Sequence, residues 1–215
     1  LRMVICHSHL SLNFNKLNRH EEARNQIHKA IALLQQDSTT HASLLADLKV
    51  NFANQCISER NYLAAIPYLE QARSTYTAQN KLRNLAFLEY HSGEVYFGLQ
   101  DYARAKEHYL NTLAALKKAK TPAHHSYYAD LKVKIGLCCQ KNGEADIGLP
   151  WLLEAKATYL KAGLEDPDYI AFLQYLGQFY LDEKQFPAAI ENMEASLAVK
   201  TKWHGAQSPR LLNTL

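Results

Sequence analysis

The side chains that could do chemistry are plentiful here, but their spacing does not suit it. Ten histidines invite a metal site. A helix offers two ligands to one ion when they stand a turn apart, as in His-x-x-x-His or His-Glu-x-x-His, and neither pattern occurs. His7 and His9 are two apart and fall on different helix faces, while His124 and His125 are adjacent near an expected helix start. The cysteines Cys6, Cys56, Cys138 and Cys139 include no Cys-x-x-Cys pair. They read as small core fillers, which points to a reduced, intracellular and cytoplasmic setting. There is no Gly-rich phosphate loop and no Gly-x-Ser-x-Gly turn. Acidic pairs such as Glu21–Glu22 and Asp166/Asp168 sit where helix starts favour negative charge, and Tyr127–Tyr128 suits helix packing better than a cofactor box. These patterns argue against an enzyme and call for no metal and no cofactor.

The elements that must position these side chains are helices, and they repeat. Asn61-Tyr-Leu-Ala-Ala65-Ile-Pro-Tyr-Leu69-Glu-Gln-Ala72 returns as Asp101-Tyr-Ala-Arg-Ala105-Lys-Glu-His-Tyr109-Leu-Asn-Thr112 and as Gln185-Phe-Pro-Ala-Ala189-Ile-Glu-Asn-Met193-Glu-Ala-Ser196. Two weaker copies centre on Ala23, Ile27, Ala30 and on Gly148, Leu152, Ala155. The period is 40 to 43 residues, and twelve residues before each central small residue stands another: Ser11, Ala53, Gly93, Gly136, Gly177. Apolar residues recur at three- and four-residue spacing, as in Leu44, Leu45, Leu48, Phe52 and Cys56, which predicts amphipathic helices. First helices are expected over 1–17, 41–58, 82–98, 123–141 and 168–183, and second helices over 20–36, 61–78, 101–119, 144–162 and 186–203. Pro122, Pro167 and Pro209 each precede or open a helix, where a missing N–H costs little. Pro67 and Pro150 fall inside predicted second helices, but at equivalent positions, which supports the register.

Composition agrees. Apolar residues make up 47% of the chain, enough for a packed core, and only 8 Gly and 6 Pro argue against disorder and against a turn-rich β fold. With 24 basic and 21 acidic residues the net charge is only +3. The densest basic cluster, Lys117-Lys118-Ala119-Lys120, sits at a helix end where cations suit the dipole, so nucleic acid is not an expected partner. No apolar run is long enough to span a membrane.

The small-large-small spacing of the central helix, with apolar-then-small pairs at Leu10-Ser11, Phe52-Ala53, Ile135-Gly136 and Leu176-Gly177 and aromatics at Phe14, Tyr96 and Tyr180, resembles the tetratricopeptide repeat. Ser92 before Gly93, and Gly148 where alanine is usual, depart from it. The long period is similar to that of kinesin light chains and related bacterial proteins. The segment Trp203-His204-Gly205-Ala-Gln-Ser-Pro209 with Leu211, Leu212 and Asn213 resembles their unit junction, although their repeated paired Asn is missing here. The resemblance implies an all-α fold, a right-handed α-α superhelix or solenoid of five helix-turn-helix units spanning 1–38, 40–80, 81–121, 122–165 and 166–205 of a single domain. Residues 206–215 then read as the start of a sixth unit. Apolar residues at both ends (Leu1, Met3, Val4, Ile5; Leu211, Leu212, Leu215) are expected to mark a fragment of a longer array, prone to end-to-end self-association.

In that family the first helices line a concave face, and the resemblance carries this face onto a mixed polar strip. Unit one gives Asn15 and Lys16; unit two gives Asp47, Asn51 and Asn54; unit three gives Tyr90, His91 and Glu94. Units four and five give Lys134, Gln140 and Lys141, then Gln174, Tyr175 and Gln178. Asn51 and Asn54 share a face and could bracket a peptide backbone, while Tyr90 and Tyr175 offer flat, rigid contact surfaces. Leu12 and Ser8 stand where a chaperone-tail carboxylate clamp has Asn and Lys, so that ligand is not implied. The expected function is a scaffold holding a protein or peptide segment in the groove. The alternatives are a sensory or regulatory module of a larger kinase, cyclase or transcriptional activator, and a pure oligomerisation spacer.

Overall fold

The computed structural model describes residues 1–35, 40–120, 125–163 and 167–204. Ten α-helices run through them, with no strand among the described residues: α1 Arg2–Lys16, α2 His20–Gln35, α3 Ala42–Ser58, α4 Tyr62–Ala78, α5 Leu82–Gly98, α6 Tyr102–Lys118, α7 His125–Lys141, α8 Ala145–Ala162, α9 Pro167–Asp182 and α10 Phe186–His204. Every helix lies within two residues of its expected span at each end. Pro167 opens α9 as expected, and α4 and α8 run on through Pro67 and Pro150. The readings placed on Pro122, Pro209, His124 and residues 206–215 lie outside the described residues.

Each odd-numbered helix pairs with the next even-numbered one as an antiparallel hairpin. The chain forms two compact units, residues 1–121 with α1–α6 and residues 122–215 with α7–α10, divided where the third repeat meets the fourth. In the first unit α2 also packs on α3, α4 on α5, and the first helices α3 and α5 touch each other. Its core joins Ile27, Leu34, Leu48, Phe52, Leu69, Tyr76 and Leu88. The second unit has a core of its own, built on Leu152, Tyr159, Phe172, Leu173, Leu176 and Phe179.

The five hairpins turn in the same way. Asn18, Arg60, Gln100, Gly143 and Lys184, each five residues before the central small residue, adopt left-handed φ of 57°, 58°, 62°, 77° and 58°. The N–H of the following residue then reaches back five positions: Arg19 to Phe14, Asn61 to Cys56, Asp101 to Tyr96, Glu144 to Cys139 and Gln185 to Tyr180, at 2.8–2.9 Å. This is the Schellman wrap that satisfies the last carbonyls of a helix. Only one of the five left-handed residues is glycine, although such a conformation disfavours other side chains by roughly 1–2 kcal/mol. The acceptors of the wrap are the carbonyls of one repeat position, Phe14, Cys56, Tyr96, Cys139 and Tyr180, of which Cys56, Cys139 and Tyr180 are buried.

Small residues let the two helices of a hairpin close. Ser11 Oγ donates to the Ala23 carbonyl at 2.8 Å, so the pair twelve residues apart is in direct contact. The fourth hairpin goes further: a Cβ added at Gly148 would stand 2.8 Å from the Gly136 carbonyl oxygen and 3.0 Å from Cys139 Cβ. The departure from alanine at this position therefore fits a tighter helix crossing. Cys56, Cys138 and Cys139 are buried, and burial pushes the Cys56 thiol up to about 11. Cys6 is exposed on α1, which corrects its reading as a core filler.

Candidate binding face

In the first unit the strip residues divide into presented groups and groups used within the fold. Lys16 and Asn54 are exposed, and Asn51 is half-buried beside Asn54 on α3. Asn15 is half-buried and its Oδ1 lies 3.1 Å from His20 Nδ1. Asp47 is tied inward, accepting from the Tyr76 hydroxyl at 2.6 Å and from Asn84 Nδ2 at 3.2 Å, so it joins α3 to α4 and α5. The Tyr109 hydroxyl donates to Glu94, which fastens α5 to α6. Tyr90 is half-buried, its ring 5.9 Å from that of Tyr109.

His91 is not on an open face. It is 6% exposed, with Phe87 edge-on at 4.3 Å and Tyr90 at 5.7 Å. Its place in the strip is corrected accordingly: the aromatic rings beside it on α5 enclose the imidazole instead of presenting it.

A second inward network went unread in the sequence. Buried Glu89 accepts from Arg73 and lies 2.7 Å from His108 Nδ1, and Tyr96 stacks on His108 with ring centroids 5.1 Å apart. This shared carboxylate ties α4, α5 and α6. Its members stand 16 and 19 residues apart on separate helices, so no local spacing announces it.

In the second unit the structure brings three of the expected residues together. The Tyr175 hydroxyl donates to Gln140 Oε1 at 3.0 Å, Gln140 Nε2 donates to Asp182 Oδ2 at 3.4 Å, and Gln178 Nε2 donates to Asp182 Oδ1 at 2.7 Å. The chain of bonds bridges the two first helices α7 and α9. Burial pushes the Tyr175 hydroxyl above its ordinary pKa, so it stays a donor. Lys141 is exposed at the end of α7, and Lys134 and Gln174 are half-buried.

Beside this bridge, between α7 and α9, lies an open cleft of about 540 Å³. Tyr127, Asp130 and Val133 line it from α7, and Asp168, Ala171, Phe172 and Tyr175 from α9, with Tyr159 of α8 beneath. Tyr127 and Asp168, expected to serve packing and a helix start, both border this space. The spacings i, i+3 on α7 and i, i+4, i+7 on α9 carry that signal, since they place each set on one helix face. Leu1, just before α1, and Met3, Ile5, Leu10 and Leu12 on it are exposed.

Among the described residues no helix is long and apolar enough to cross a membrane, and no group of His, Cys, Asp and Glu could hold a metal ion. No known family's sequence profile matches the chain, and no curated protein is similar to it in sequence. Solved structures are similar in fold. A putative kinesin light chain from Podosopora anserina with nearly identical TPR-like repeats superposes with a TM-score of 0.80 at 16% identity, over 94% of this chain and 97% of that one. The MamA protein gives 0.67 at 15% identity over 96% and 97% of the two chains. The apo form of RapI gives 0.79 at 12% identity, over 98% of this chain and 56% of RapI. These likenesses establish an all-α, tetratricopeptide-like helical-repeat solenoid.

Proposed function

We propose that this tetratricopeptide-like repeat chain is a protein-binding scaffold of the cytoplasm that holds a partner segment on the face of its first helices. The observation that carries the reading is the division of labour along those helices. The small residues Ser11, Ala53 and Gly93 and large apolar residues such as Leu48, Phe52, Leu88 and Leu176 are taken up by packing, while Lys16, Asn54, Lys141 and Gln178 remain exposed in the expected register. A preformed array of donors and acceptors leaves most of the ordering cost with the ligand, which suits recognition of an extended or helical segment. The role is binding, not catalysis.

Asn51→Ala combined with Lys134→Glu tests this face. Immobilised parent and variant are compared for partners retained from a cell lysate, with retention of a parent-specific partner expected to fall about tenfold. Equal retention by the variant would remove the first-helix face as the binding surface.

A further inference from the structure

We infer that a cavity at the seam between the second and third hairpins, among α4, α5 and α6, binds a neutral primary carboxamide such as the end group of glutamine. Two of these are second helices, so the site does not depend on the first-helix face. Its volume is about 180 Å³, below the span of drug-sized pockets and enough for about six water-sized groups. Ile66, Leu69 and Val95 give it apolar walls, and Arg73 and His108 border it with polar ones.

Glu89 places those two polar groups. It is 6% exposed; its Oε1 accepts from Arg73 Nη1, and its Oε2 stands 2.7 Å from His108 Nδ1. A guanidinium and an imidazole are thus held side by side, at the spacing of the two oxygens of one carboxylate. Facing a carboxylate, Nδ1 carries the proton, which leaves Nε2 a bare acceptor. Nε2 has no hydrogen bond among the described residues. Burial, and after it Arg73, holds the His108 pKa below its ordinary value, so the ring is neutral at pH 7. Tyr96 stacks on that ring with the two planes 4° apart, which fixes its tilt. Arg73 keeps N–H groups beyond the one given to Glu89. Ser92, which also borders the cavity, spends its proton on the Leu88 carbonyl at 3.0 Å.

The wall therefore offers a donor beside an acceptor. A carboxamide answers with an acceptor oxygen beside a donor NH₂, in one plane and at a carboxylate's spacing, and the methylenes of glutamine suit the apolar walls. An anion fits worse, because Glu89 already balances Arg73 and the exposed Glu70 borders the same cavity. A cation would stand against the Arg73 guanidinium. A hydroxyl offers both roles from one atom and spans the two groups less well.

The test titrates butyramide, about six non-hydrogen atoms, into the isotopically labelled full chain at pH 7 and follows it by NMR, beside butyrate and N,N-dimethylbutyramide. Butyramide should shift amides near 66–73, 92–96 and 108 and move the His108 Nε2 resonance. Butyrate, which lacks the donor and adds charge, and the dimethyl amide, which lacks the donor, should each bind about tenfold more weakly. His108→Phe keeps a ring against Tyr96 and should abolish the preference for butyramide over its dimethyl form. Equal affinity of the parent for butyramide and the dimethyl amide, a stationary His108 Nε2 resonance, or no shift at about 50 mM butyramide would overturn the proposal. These parent measurements decide the matter even if His108→Phe fails to fold. N-acetylglutamine N-methylamide separates the sources: tighter binding than butyramide supports a glutamine of a bound segment, and weaker binding supports a free small amide.

Discussion

His91 is buried where a charge is not wanted. Neither ring nitrogen has a hydrogen-bond partner among the described residues, and an unsatisfied buried polar group typically costs about 1–3 kcal/mol. Burial holds its pKa down to about 4 despite the opposing pull of Glu94, against an ordinary value of 6.5. The folded chain thus stays neutral at His91 while the unfolded chain takes up a proton, between those two values. This contribution to stability is complete above pH 6.5 and is lost progressively as pH falls toward 4, by up to roughly 3 kcal/mol. His91→Leu should flatten that acid limb and raise stability at pH 7 by about 1–2 kcal/mol. Urea unfolding at pH 7 and pH 5 measures both effects; a parent-like pH slope in the variant would refute the assignment. Nothing in the sequence separates His91 from its accessible neighbours, because Phe87 and Tyr90 look equally like groove residues until their rings are seen to close over it.

At the scale of helices, Gly148 reverses an ordinary rule. Gly→Ala inside a helix normally gains up to about 1 kcal/mol. Here the new methyl would meet the Gly136 carbonyl at 2.8 Å, and backbone cannot swing aside as a side chain can. Gly148→Ala is therefore expected to lower stability by roughly 1–3 kcal/mol through overpacking. A rise in the thermal midpoint of the variant would show that α7 and α8 are not so close. This level was the most legible in sequence, since small residues twelve apart and apolar residues at helical spacing are local signals. What escaped were pairs across helices. Asp47 with Tyr76, Glu94 with Tyr109, and Arg73 with Glu89 and His108 each draw polar side chains into the fold. Sequence spacing marks them only as polar. Asp47, His91 and Glu94 of the expected strip are therefore taken up within the fold.

At the scale of the whole molecule, each compact unit carries its own apolar core, and helical repeats draw stability from near neighbours instead of from one centre. Residues 1–121 made alone should keep their helicity and melt cooperatively. A fragment lacking a helical circular-dichroism spectrum at 20 °C (about room temperature, where stability is near its maximum) would refute this. The recurrent left-handed turn has a consequence for which changes in chain length the fold can absorb. Each residue of a helix advances it by about 100°, so one residue added between Arg60 and Asn61 would rotate Ala65 away from Ala53. The turn acts as a phase lock between the two helices of a hairpin. The chain bears the mark of this: the interval between the two small residues is twelve in all five hairpins, whereas successive hairpins are offset by 42, 40, 43 and 41 residues. The variation in length falls between the central small residue of one hairpin and the first small residue of the next, which is where insertions and deletions can accumulate without unsettling a single helix crossing.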